Sequence, residues 1–435
     1  MGDMQLTELR TPCGAWRPAV FIFLVWTNSC PGLAQVNYAV HFEMDKASYL
    51  LGEPIFCRFV IQNTESSAFT LRYRSPTRSL APDYEQEPRF VVTDQRGTRL
   101  PDPGPRPCGN SQGTTYYGSV SLPPGKVHTE RWLLNQWAQF TTVGQYRVRA
   151  ERRLALRRAG TPEEKPVAFA LAIDELSVRV APSTRAQIEA AFQPYLAAVN
   201  DVNDPDPAEA VMVLTSLPQP FFLDQLVAMT NAGKPDRWDR RDVLNGLARL
   251  NTPASWNTIL KVFRGAPTAT LGSRSKDAAA EGQGALPSYA LLLLAEKADP
   301  AFIPTLTEML AKSVEPLRGD ILRALGFFHD PRAYEPIYDN LHSAAVTDRM
   351  NSILGLKNLG GKEVIPALLA KLNDPDVQVR QVANFALEGL TGYKVAVSAS
   401  PSRQESVRVA NQWHAWWREH AGSFSPPRPA PCHDW

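Results

Sequence analysis

Residues 364–387 read VIPALLAKLNDPDVQVRQVANFAL. Two apolar-periodic runs flank Asn373-Asp374-Pro375-Asp376, a turn signal. The pattern returns upstream at a fixed step. Leu387 has counterparts at Leu356, Leu325 and Leu294, each 31 residues apart. The same step links Leu372 to Leu341 and Leu310, and Arg380 to Arg349 and Arg318. Asp299-Pro300 recurs as Asp330-Pro331 and, in other residues, as Gly361-Lys362, while Pro304, Pro336 and Pro366 fall near one phase. Further upstream, Arg240, Asp242, Leu244, Leu247, Pro253 and Ile259 match Arg318, Asp320, Leu322, Leu325, Pro331 and Ile337 at an offset of 78. Two steps make 62, so 16 extra residues intervene, and residues 265–287 (GAPTATLGSRSKDAAAEGQGALP) read as a flexible insertion. A fixed period with two helical runs per unit means stacked helix pairs, an α-solenoid. One pair cannot bury its own apolar stripe; stacking makes a continuous core, at ~1.5–3 kcal/mol per buried leucine.

These segments resemble HEAT repeats, above all the short bacterial type also found in phycobilisome lyases. The resemblance covers residues 183–422. The second helices of successive units are expected to line a concave surface, with Arg323, Asn351, Gln381 and Asn384 as its exposed polar contacts. Arg318, Arg349 and Arg380 have two readings. They form a basic ladder for an acidic partner, or each pairs with a carboxylate in its own or a neighbouring loop, Asp374 and Asp376 being near Arg380. Leu390-Thr391-Gly392-Tyr393 resembles the usual lead into a final helix. Its Trp413, Trp416 and Trp417 share one face and are expected to cap the apolar end, with ligand stacking as the alternative. The tail 423–435 reads as disordered, and its Cys432-His433-Asp434 as inert.

Residues 35–181 read as all-β. Val36, Tyr38, Val40, Phe42 and Met44 alternate, as do Phe69, Leu71 and Tyr73. Asp94-Gln95-Arg96-Gly97 marks a turn, and further strands are expected at 146–150 and 176–180. The arginine-rich run 147–158 reads as a solvated strand edge and loop. The order Tyr49…Gly52-Glu53-Pro54-Ile55, then Leu122-Pro-Pro-Gly125, then Gly144-Gln-Tyr146-Arg-Val148 is similar to immunoglobulin-like domains of exported bacterial proteins. The expected fold class is therefore multidomain β + α, an N-terminal Ig-like β-sandwich followed by a HEAT-like α-solenoid.

Residues 1–34 resemble an export signal: Arg10 and Arg17, the apolar run Ala19–Trp26, then Gly32 and Ala34 before a cleavage site. That run is far below the ~20 residues that cross a bilayer, so no membrane span is expected after cleavage. The location implied is extracytoplasmic, periplasmic or secreted. The mature chain keeps Cys57, Cys108 and Cys432; three is odd, and Cys57 with Cys108 is the expected bridge.

The 435 residues are 44% hydrophobic and 21% charged, which excludes wholesale disorder. Lys and Arg total 46 against 44 for Asp and Glu, too balanced for a nucleic-acid partner. Thirty-seven prolines against 26 glycines argue against one compact α/β enzyme core. Gly109-Asn110-Ser111-Gln112-Gly113 fits a nucleophile elbow in letters, but it lies in a proline-rich loop without a following helix. The seven histidines are scattered, and neither a Cys-x-x-Cys nor a phosphate-cradling glycine loop occurs. No catalytic residue, metal or cofactor is expected. The expected function is an exported, non-catalytic scaffold for a protein or peptide partner. Two alternatives stand beside it: a lyase-like or chaperone-like accessory of a cofactor-bearing protein, and a protease inhibitor acting through loop 101–118.

Overall fold

A computed structural model describes residues 37–74, 88–103, 117–158, 168–201, 203–204, 207–231, 238–265 and 286–426. The expectations for residues 1–34, Cys108, 109–113, 266–285 and 427–435 lie outside the described residues. Two sheets come first, and helices follow.

One sheet runs β1 (Tyr38–Met44), β3 (Phe56–Asn63), β7 (Val127–Leu133), all antiparallel. The other runs β2 (Ser48–Leu50), β9 (Ala168–Ala181), β8 (Gly144–Arg158), β4 (Phe69–Arg74), β6 (Tyr117–Leu122), with β5 (Arg89–Thr93) also paired to β8. Alternation fixes which side chains meet. Phe42 lies opposite Phe59 and Cys57 opposite Trp132 in the first sheet. Phe90, Val148 and Leu154 face them from the second, in one buried cluster. The Phe42 ring sits edge-on to Phe59 at 5.3 Å and to Phe90 at 6.0 Å, the geometry aromatic quadrupoles favour. Cys57 is a buried free thiol, its pKa pushed up by burial and nearby carboxylates.

The arginine run 147–158 departs from its sequence reading. It is strand throughout, paired with β9 from Gly144 to Leu156. Arg147, Arg149 and Arg153 face solvent as expected. Arg152 points inward and is 1% exposed. Its Nη1 donates to Glu130 Oε2 at 2.8 Å, and its guanidinium lies 4.3 Å from the Phe59 ring centroid. Strand parity puts residue 152 on the inner face whatever its charge, and a carboxylate from the opposite sheet meets it there.

The helices begin with α1 (Arg185–Asn200), α2 (Ala208–Ser216), α3 (Leu223–Asn231), α4 (Arg240–Leu250) and α5 (Pro253–Arg264). Then come α6 (Leu286–Lys297), α7 (Ile303–Lys312), α8 (Leu317–Gly326), α9 (Tyr334–Asp339), α10 (Val346–Leu359), α11 (Ile365–Lys371), α12 (Val377–Thr391) and α13 (Arg403–His420). Helices α2, α4, α6, α8, α10 and α12 touch in that order, as one continuous row. Leu294, Leu325, Leu356 and Leu387 are fully buried on four consecutive members. The recurring Asp-Pro has a local cause. Asp299 and Asp330 accept from the backbone N–H two residues on and open short 3-10 turns with proline in the first position. Gly361 fills that place in the next unit at φ +84°.

Helices α8 and α10 approach backbone to backbone. A Cβ at Gly355 would overlap the Leu322 carbonyl oxygen, and one at Gly326 would overlap the Gly355 carbonyl oxygen. At the chain's end, Trp413 is fully buried in the helical core, while Trp416 and Trp417 pack half-buried against it. Trp416 stacks on Tyr393 (5.5 Å) and on His420 (4.7 Å), both within the chain.

The two regions share packing. Phe56 and Leu133 belong to the same buried cluster as Ile188 and Phe192 of α1. Arg131 stacks 4.0 Å over the Phe56 ring, donates to Asp45 Oδ2 at 2.7 and 3.0 Å, and reaches Glu209 of α2.

Candidate functional site

The row of helices exposes side chains in two columns, each stepping by 31 residues. One column is Tyr289, Asp320, Asn351 and Val382; the other, three residues on, is Leu292, Arg323, Leu354 and Phe385. The buried leucine of each helix fixes these phases, since positions off the apolar stripe must point away from the core. All are half-buried except Phe385, which is 57% exposed.

Polar links tie the columns across layers. Tyr289 Oη donates to Asn245 Oδ1 (2.8 Å) and Ser288 Oγ to Asp320 Oδ2 (3.2 Å). Arg323 Nη1 donates to Asn351 Oδ1 (3.3 Å), and its Nη2 to Asp320. Asn358 Nδ2 closes back onto the Arg323 carbonyl (3.2 Å). Lys357 Nζ lies 5.4 Å from the Phe385 ring centroid. The face is a fixed lattice of mixed polarity rather than a fringe of free side chains.

Of the four expected contacts, Arg323 and Asn351 are on this face and bonded to each other. Gln381 is half-buried beside it and donates to the Ala399 carbonyl at 2.8 Å. Asn384 is a correction: it is 6% exposed, not a surface residue. Its Oδ1 accepts from Trp413 Nε1 at 2.7 Å and its Nδ2 donates to Glu388 at 3.0 Å, because α13 covers this end of the row. Sequence reasoning passed over Tyr289, Asp320, Leu354 and Phe385. The signal was present: one step of 31 residues finds Asp320 from Asn351 and Leu354 from Arg323, and a second step finds Tyr289 and Phe385.

The three phase-matched arginines are structural ties. Arg318 Nε donates to Asp348 Oδ2 (3.0 Å) and its Nη1 to the Leu310 carbonyl (2.6 Å). Arg349 grips Asp374 with two bonds of 2.9 Å and takes the Ser343 and Ala344 carbonyls. Burial works against the Asp374 charge, but Arg349's bonds outweigh it and hold the carboxyl below its ordinary range. Arg380 differs from the expectation. It reaches the Asp374 and Pro375 backbone carbonyls and Ser406 Oγ, because Arg349 takes the Asp374 carboxylate and Asp376 caps α12.

Two clefts lie where the helices meet the sheets. One, of about 450 Å³, is bordered by Gly52, Thr184, Ile188, Gln219 and Phe221. The other, of about 270 Å³, is bordered by Lys46, Tyr49, Glu53, Arg131 and Tyr195. Its charges engage one another, Lys46 with Glu53 and Arg131 with Asp45 and Glu209. Among the described residues no group of three His, Cys, Asp or Glu side chains is placed to hold a metal, and no helix is long and apolar enough to cross a membrane.

No protein-family model and no curated protein matches the chain. Among solved structures it is similar to a designed armadillo repeat protein in complex with the peptide (KR)4. The identity is 14%, over 48% of this chain and 95% of that one, with a TM-score of 0.27. It is also similar to the complex of CpcE and CpcF of phycocyanin lyase from Nostoc sp. PCC7120. There the identity is 18%, over 52% of this chain and 82% of that one, with a TM-score of 0.26.

Proposed function

We propose that this chain is an exported, non-catalytic scaffold: an Ig-like β-sandwich joined to a HEAT-like α-solenoid whose second-helix face holds a protein or peptide partner. The observation that carries the reading is the pair of columns Tyr289–Val382 and Leu292–Phe385, recurring at identical phase on four adjacent helices. Helices in contact lie ~8–10 Å apart, so four of them offer a strip of roughly 30 Å. An extended peptide rises ~3.3 Å per residue, and about nine residues would run its length. A ligand of that kind gains area layer by layer without a deep pocket. The mixed lining, with Asp320 and Arg323 in the middle and Phe385 at one end, suits a partner carrying both charged and apolar side chains. Extracytoplasmic placement rests on residues 1–34, whose pattern resembles an export signal.

The test is capture from the native extracytoplasmic fraction with the mature full chain and two charge reversals. Arg323→Glu is expected to lose the captured partner. Arg149→Glu, on the outer face of β8, is expected to retain it. Equal capture by both, with circular dichroism unchanged, would remove the helical face as the recognition surface.

A further inference from the structure

Beneath Arg323 and Asn351 lies a group that the contact face does not use. Glu315 precedes α8 and lies against α10: its Oε2 and the Asn351 amide both border the place that a Cβ at Gly319 would take, and Asp348, three residues before Asn351, is the carboxylate that raises it most. Two carboxylates cannot bond each other without a proton between them. Each also keeps a buried oxygen that receives no donor, Glu315 Oε1 and Asp348 Oδ1. Asp348 is 6% exposed. Its other oxygen, Oδ2, accepts from Arg318 Nε (3.0 Å) and Ser343 Oγ (2.8 Å), so a cation already faces Asp348. Glu315 is faced by Asp348 from α10 and by Asp320 and Arg323 from α8. Burial, then the neighbouring carboxylates, pushes it up to about 7.

We propose that Glu315 carries a proton that it donates to Asp348, and that this proton locks α8 to α10 and sets the position of Arg323 on the contact face. The lock deepens the proposed function as its regulation, and in that respect rests on it. With the proton present, Glu315 donates to Asp348, and Arg323 stays on Asp320 and Asn351. With it gone, Glu315 repels Asp348 and Asp320 and attracts Arg323. The Arg323–Asn351 bond, at 3.3 Å, is the weakest link in its path. Space for adjustment is small: a Cβ at Gly319 would sit 3.1 Å from Glu315 Oε2 and would overlap the Asn351 amide. The face is therefore rigid in mild acid and loosened above neutrality.

The experiment is amide hydrogen exchange on the full chain, corrected for intrinsic rates, at about pH 5.5 and about pH 8, which bracket the transition. Segments 317–326 and 346–359 are expected to exchange at least about tenfold slower at the lower pH, since each unit of pKa difference between closed and open states is worth a factor of about ten. Glu315→Gln keeps a permanent donor to Asp348 and is expected to exchange slowly at both values. Glu296→Gln removes a different buried carboxyl and is expected to leave the contrast intact. Equal corrected rates in the wild-type protein, or a contrast that survives Glu315→Gln, would overturn the proposal. The wild-type comparison stands even if the variant fails to fold. No partner enters the readout, so loss of the proton lock and loss of the scaffold reading are separate results.

Discussion

Arg152 and Glu130 carry opposite charges into the space between the two sheets, where the medium is poor at solvating either. Burial alone would push the Glu130 carboxyl up. Its bond from His128 (3.0 Å) and the adjacent Arg152 guanidinium instead hold the carboxyl below its usual range. A depressed carboxylate pKa stabilises the fold above the unfolded pKa, and that part is lost as acid protonates it. Removing one partner is worse than removing both, since the survivor is left charged in a dry site. Glu130→Ala is expected to cost about 3–5 kcal/mol in urea unfolding. The double change Glu130→Leu with Arg152→Met is expected to cost less than Glu130→Ala alone. A double change more damaging than the single one would mean that the pair adds net stability beyond its own desolvation. Single residues of this kind are where sequence reading fails, because an arginine in a strand reads as solvated until its partner in another sheet is known.

At the scale of elements, the close pass of α8 over α10 depends on the absence of two side chains. Gly355 and Gly326 face each other's helices, and a methyl group at either meets backbone rather than a side chain that could turn aside. Gly355→Ala is expected to force the helices apart and to lower stability by about 1–3 kcal/mol, the cost of overpacking a core that cannot yield. The same change at Gly392, with open space around its Cβ, tests only the positive φ of a helix C-cap and is expected to cost less. Equal losses at both sites by thermal unfolding would deny the close approach. The periodic part of these elements was legible in the sequence. Leu294, Leu325, Leu356 and Leu387 recur because each layer offers the same buried place, and Asp-Pro recurs because each first helix opens through the same capped turn. The glycine contact was not legible, since no period marks which small residue lies under a neighbouring backbone. The proposed contact face was half legible: Arg323 and Asn351 stand on it, while Asn384 is hidden because α13 packs over α12, which the repeat pattern alone does not contain.

At the scale of the whole molecule, the sheets and the helices are joined by more than the short link between Ala181 and Arg185. Phe56 and Leu133 turn away from the sheet core and enter the helical cluster. Arg131 lies over Phe56 and reaches α2, Gln136 Nε2 donates to Ser216 Oγ at 3.0 Å, and Ser183 Oγ donates to the Leu51 carbonyl at 2.7 Å. A buried aromatic shared by two bodies makes the unfolding of one expose apolar surface on the other, which couples their transitions. The sheets and the helices, whose buried cluster runs unbroken from Phe56 to Trp413, are therefore expected to melt in a single transition in calorimetry. Phe56→Ala removes the shared side chain, at about 3–5 kcal/mol for a buried phenylalanine. It is expected to separate a sheet transition from a helical one while leaving the Leu325–Leu356–Leu387 stack intact. Two resolved transitions in the wild-type protein, or a single one that persists in Phe56→Ala with its midpoint merely lowered, would show that the junction does not set the cooperativity. If the transitions do separate in the variant alone, the helical face is held at a fixed angle to the sheets, and a partner spanning both would meet a preformed surface rather than one that it must assemble.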